Sequence, residues 1–316
     1  MNRSRTAATT AVALGTLLAA SAASAASASA ADAAAKRTQR VAIEFAAVAG
    51  SAPVACGAPI GGLGTTGRAA QLTDLRFFVS DVRLLRRDGR AVAVRLAADS
   101  AFRVTRGRAA VTLIDLENGR GGCADGTRAT NAFVRGTVPR GDYVGARWSV
   151  GVPAALNHSD ATTAPAPLNS AAMAWSWQVG RKFTKIEVSD PGGGAPWAAR
   201  TFFVHLGSTG CSGNPATGET ASCSSSNRPR IVLRRFDAAR QRVAVDLKAL
   251  LAGVDVAANG GGAGGCMAGP TDPECGPIFR AFGLKPPTGG GMEMDGMAMG
   301  AAAAAAPQQT VFRAIR

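Results

Sequence analysis

From about Arg40 to Asp255 the chain alternates between apolar and polar positions. The runs "RVAIEFAAV", "DLRFFVSDVRLL", "VTLIDLENG", "FVRGTVPRGDYVGARWSVGV", "KFTKIEVSD", "RTFFVHLG", "PRIVLRRFD" and "RVAVDLKALL" are separated by Gly, Pro and Asp. Period-two alternation puts apolar side chains on one face of an extended segment, so each run reads as a β-strand. "LRFFVSDVRLLRRDGRAVAVRLA" reads as a hairpin, with Asp88 and Gly89 as its two-residue turn. A long proline-containing loop, "PAALNHSDATTAPAPLNSA", leads into the strand "MAWSWQVG". The number and spacing of strands predict an all-β domain, an antiparallel β-sandwich or a barrel-like variant.

Both ends break the pattern. Arg3 and Arg5 precede the apolar run "AATTAVALGTLLAA" and a small-residue stretch with A-x-A cleavage sites. That is the layout of an export signal over residues 1–30, too short for the roughly 20 apolar residues of a membrane span. The expected product is periplasmic. Residues 31–40 read as a polar lead-in and 41–257 as the all-β domain. Residues 258–286 read as a linker and disulfide-clipped module packed on that domain. Residues 287–316 read as a mobile, low-complexity Met/Ala-rich tail.

The formal charge is +14, carried mostly by arginines scattered among strands, and aromatic residues are scarce. This argues against nucleic-acid binding and for an acidic protein partner. Six cysteines in an exported chain suggest three disulfides. Sequence alone does not fix their pairing. Local closure is the simplest reading, with Cys211 joined to Cys223 and Cys266 to Cys275, leaving Cys56 with Cys123. The competing thiolate metal site lacks any CxxC spacing.

Candidate chemistry is sparse. The two histidines are His158, in the loop "ALNHSD", and His205, on the strand "TFFVHLGSTGC". With Met173 they make a soft set suited to Cu(I), although a strand histidine also serves as a structural hydrogen-bonder. Met173, Trp175 and Trp177 share one strand face in the period-two reading. They are core filler, or rings that take part in chemistry. Met292, Met294, Met297 and Met299 lie in the tail, where no core accounts for them. They are a secondary copper site or the product of biased composition. No GxSxG, HExxH, Walker A loop or dinucleotide fingerprint occurs, so the chain is not expected to be an enzyme.

Long, ordered motifs carry a resemblance. "DLRFFVSDVRLL", "GTRATNAFVRGTVPRGDY", "GVPAALNHSD…PLNSAAMAWSWQVGRKFTKIEV", "FFVHLGSTGC" and "CMAGPTDPECGPIF" resemble the MbnP-related proteins, also called the metallo-mystery-pair four-Cys-motif family, over residues 40 to 285. The resemblance implies an exported copper-binding protein that works beside a MauG-like di-haem peroxidase. Cys56, Cys123, Cys211 and Cys223 would be the four named cysteines. It further implies that the partner oxidises Trp175 or Trp177 to kynurenine, close to bound Cu(I) or Cu(II). The alternatives are an exported β-sandwich for binding or adhesion, its tryptophans purely structural, and a copper oxidase.

Overall fold

The computed structural model describes residues 37–176, 180–192, 194, 196–214, 219–286 and 307–316. The expected signal peptide, most of the lead-in, Trp177 and the four tail methionines lie outside the described residues. The first major strands are β1 (Thr38–Ala49), β2 (Arg68–Leu85), β3 (Ala109–Asp115), β4 (Phe133–Pro139) and β5 (Gly145–Val150). The short helix α1 (Ala154–Asn157) opens the proline-containing loop. Then come β6 (Ala174–Ser176), β7 (Gly180–Arg181), β8 (Thr184–Ser189), β9 (Thr201–Val204), β10 (Thr209–Asn214) and β11 (Glu219–Ser225). The chain closes with β12 (Arg230–Leu233), β13 (Arg242–Asp246), α2 (Leu247–Leu251), β14 (Gly265–Cys266), α3 (Cys275–Ala281) and β15 (Phe312–Ile315).

Two large sheets result. One runs β15–β13–β1–β4, and the other runs β12–β5–β2–β8–β9–β14 with β3 also on β2. Pairing is antiparallel except for β1 with β13 and β9 with β14, which are parallel. The hairpins β6–β7 and β10–β11 are separate two-stranded sheets. Inner faces of the large sheets meet in an aromatic cluster. Phe45 of β1 stands edge-on to Phe77 of β2 at 5.5 Å and to Trp148 of β5 at 5.6 Å. Phe312 of β15 meets Phe77 and Trp148, each at 5.7 Å. These T-shaped pairs set the negative face of one ring against the positive edge of another. The all-β sandwich expected from the alternation is therefore the fold.

Four details differ from the sequence reading. The first strand starts at Thr38, inside the expected lead-in. The Asp88–Gly89 hairpin forms, but its turn spans Arg86–Gly89, where the Gly89 amide donates to the Arg86 carbonyl at 2.9 Å and Gly89 sits at φ +82°. "LKALL" is helix α2 instead of strand, because Asp246 accepts hydrogen bonds from the amides of Lys248 and Ala249 and so caps a helix. The last residues are not a mobile tail. β15 pairs antiparallel with β13, Val311 and Phe312 are buried, and Arg313 bonds Asp246 and the Gly50 carbonyl. Alanine-rich composition around it concealed a short apolar strand.

The three disulfides are Cys56–Cys123, Cys211–Cys223 and Cys266–Cys275, as local closure suggested. No helix among the described residues is long and apolar enough to cross a membrane. Phe312 links a distant strand to the core, so Phe312→Ala is expected to cost about 3–5 kcal/mol. Urea unfolding checks this; a loss below 1 kcal/mol, on the order of a surface substitution, would place β15 outside the cooperative fold.

Candidate metal centre

Charged residues recur at period two on adjacent strands of the second sheet. In register, Glu187 of β8 pairs with Asp74 of β2, Lys185 with Arg76, and Arg76 with Asp115 of β3. Sign alternates along each strand, while the directly opposite pairs Glu187–Asp74 and Lys185–Arg76 carry like charges, so this ladder is held by ion pairs along a strand and on the diagonal. Lys185 Nζ lies 2.8 Å from Glu187 Oε1 and 2.6 Å from Asp74 Oδ2. Arg76 forks onto Asp74, with Nε at 2.8 Å from Oδ1, and faces Glu117 at 3.8 Å. Glu117 is further held by the amides of Gly119 and Thr127. Asp74, Arg76, Asp115, Glu117 and Glu187 are all buried.

His205 stands at the end of this ladder, one residue beyond β9. Its Nε2 is 2.7 Å from Glu187 Oε1. Burial acts to raise the Glu187 carboxyl, but the His205 hydrogen bond and the Lys185 charge outweigh it and hold the group below its usual range. An ionised carboxylate only accepts, so the proton sits on Nε2. That leaves Nδ1 of His205 as a bare lone pair, buried and without a hydrogen-bond partner among the described residues. Burial also lowers the imidazole, against the opposing pull of Glu187. The neutral ring is the form that binds metal.

Trp175 meets this ring edge-on, with centroids 6.4 Å apart, and Phe203 flanks it at 5.2 Å. Trp175 is half-buried on β6 and crosses the backbone at Gly207, where any Cβ would collide with Cζ3 of the indole. Met173 is fully buried two residues earlier. It ends a 3-10 turn, Ala171–Met173, so the strand begins only at Ala174 and the expected three-residue strand stripe is broken at its first member.

His158 occupies a neighbouring corner. Its Nε2 lies 3.1 Å from the Asn157 amide nitrogen and 3.5 Å from Cys223 Sγ. The segment just after His205 joins the two places, since Gly207 underlies Trp175 and Ser208 lines the cavity beside His158. Buried Arg181 pins the His158 loop by donating to the carbonyls of Leu156, Asn157 and Leu168. Sequence reasoning passed over Asp74, Arg76, Arg181, Lys185 and Glu187. Charges spaced two apart inside apolar strands were the available signal.

A disulfide-stapled β-sandwich holding an imidazole with one unpartnered nitrogen beside a tryptophan defines a class of metal-binding candidates. A sequence model of the MbnP family matches residues 38–268, and the chain belongs to that family. The solved structure of MbnP from Methylosinus trichosporium is similar with a TM-score of 0.71 and 34% identity, covering 88% of this chain and 98% of that one. No curated protein sequence matches the chain.

Two predictions come from this geometry. Burial first, and then the Glu117 charge, push the Asp115 carboxyl up to about 7. An unfolded aspartate titrates near 3.9, so between about pH 4 and 7 the folded chain holds a proton that the unfolded chain has lost. Stability therefore falls as pH rises through that window, by at most about 4 kcal/mol, and Asp115→Asn should flatten the slope in urea titrations. Gly207→Ala should displace the Trp175 ring at a cost of about 1–3 kcal/mol. An unchanged unfolding midpoint would contradict that close approach.

Proposed function

We propose that this is an exported, periplasmic copper-binding protein in which a MauG-like di-haem peroxidase oxidises Trp175 or Trp177 to kynurenine. The observation that carries the copper reading is the buried, unpartnered Nδ1 of His205. A buried polar atom left unsatisfied costs free energy, and a bound soft cation relieves that cost. Imidazole and thioether together suit Cu(I), so Met173 joins His205 in the proposed ligand set. Glu187 backs His205 as carboxylates commonly back metal-bound histidines, fixing its tautomer and ring orientation. The bound metal would supply one-electron Cu(I)/Cu(II) chemistry. The chain's own groups hold Nδ1 unprotonated and, through Trp175 and Phe203, limit access of water.

Among the tryptophans with described side chains, Trp148 and Trp197 are buried and Trp175 is half-buried. An electron-rich indole near the surface loses electrons to a high-valent haem without disturbing the core. In the conversion, peroxide serves as oxidant at the partner. Two equivalents of peroxide cleave the indole ring to N-formylkynurenine with release of two waters, and hydrolysis then frees the extra carbon as formate, leaving an aryl ketone with a free aniline. The chain is then the substrate, not the catalyst. Its strongly positive net charge, which loss of Arg3 and Arg5 with the signal leaves largely intact, favours an acidic docking face on the partner.

Metal analysis of the purified protein should find one tight copper that His205→Ala abolishes and Met173→Leu weakens. His158→Ala should leave it in place, because that ring faces Cys223 and Asn157. Removing residues 288–306 keeps β15 and tests Met292, Met294, Met297 and Met299 separately. Peptide mass spectrometry over residues 170–182, after reaction with the haem partner and peroxide, should show the modified ring. Absence of copper affinity would instead favour a binding sandwich with structural tryptophans.

A further inference from the structure

The hairpin β10–β11 belongs to neither large sheet, and Cys211 faces Cys223 across it in register. Both cysteines of this disulfide are half-buried, whereas Cys123, Cys266 and Cys275 are fully buried. Solvent access makes this bond the one a thiol reductant meets first. His158 lies against it. The imidazole nitrogen and both sulfurs lie within 4.8 Å of one another, with Nε2 3.5 Å from Cys223 Sγ. Beside them opens a cavity of about 190 Å³ lined by Val152, Ala154, His158, Ser208, Cys223 and Arg228, among others.

We propose that reduction of the Cys211–Cys223 bond turns this corner into a second, redox-gated metal site, in which two thiolates and the His158 imidazole hold one Cu(I). The reductant is a dithiol. Its two electrons break the S–S bond, its own sulfurs join in a new disulfide, and its two protons pass to Cys211 and Cys223. Metal binding then displaces those two protons. Thiolate ligands select Cu(I) among soft cations. With metal–sulfur bonds of about 2.3 Å and metal–nitrogen bonds of about 2.0 Å, donors in a trigonal arrangement stand on the order of 3.5–4 Å apart. The present separation of His158 and Cys223 already matches one edge, and Cys211 Sγ starts within 4.8 Å of the imidazole nitrogen, so the main movement needed is parting of the two sulfurs. Arg228 borders the same cavity and is anchored by Ser80 and Asp81. Its charge favours the thiolate form. While the disulfide is closed the sulfurs are not ligands of this kind, and the site is independent of His205.

The test uses the full-length apo protein carrying His205→Ala, so that loss of the His205 site cannot be confused with loss of this one. A phosphine reductant is applied without oxygen, and alkylation mapping confirms that Cys211 and Cys223 open while the other pairs stay closed. Cu(I) is then titrated against a coloured chelator. The expected result is one tight equivalent after reduction and none before, with sulfur ligation visible by X-ray absorption. His158→Ala should weaken it by more than about tenfold, and the Cys211→Ser, Cys223→Ser double variant should lack it. No gain after verified opening would overturn the proposal. So would a gain that His158→Ala leaves untouched, or reduction that opens Cys56–Cys123 or Cys266–Cys275 first.

Discussion

Burying ionised groups inside a β-sandwich requires that each one find an opposite charge, and this requirement organises the second sheet. Asp74, Arg76, Lys185 and Glu187 satisfy it two residues apart along each strand, as Arg76–Asp74 and Lys185–Glu187, and on the Lys185–Asp74 diagonal between strands. A slip of one residue would turn every member to the aromatic face, so the ladder fixes register as firmly as the hydrophobic pattern does. Its end is His205. One imidazole nitrogen is committed to Glu187 and the other left open, which makes the ladder both a structural element and the mount of the site.

The other face of that sheet is held by a different interaction. Phe45, Phe77, Trp148 and Phe312 meet edge to face, and they come from four strands at widely separated positions in the chain. Long-range closure of this kind ties the C-terminal strand β15 to the first strand through β13. It leaves the hairpins β6–β7 and β10–β11 as attachments to a rigid frame. Trp175 sits on one of them and the Cys211–Cys223 bond on the other. The chemistry proposed for each is thereby kept off the two large sheets.

Much of this was legible from residue order. Period-two alternation identified the sandwich because side-chain direction in a strand depends only on local geometry. Cysteine spacing suggested the three disulfides because short loops close most easily. His205 and Trp175 stood out by rarity and place, and the structure does bring them together. The helix α2 was hidden, since a single capping aspartate outweighs the apolar pattern that follows it.

The sequence by itself determined the strand content, the sandwich class and the small pool of soft ligands. Those follow from composition and from spacing along the chain. Tertiary structure alone decided which of these meet. Glu187 reaches His205 through the β8–β9 register, and His158 turns to Cys223 because Arg181 holds its loop from a distant strand. Phe312 enters the core because β13 offers it an open edge. Contacts between residues far apart in the chain depend on strand register and sheet closure. No local pattern encodes either.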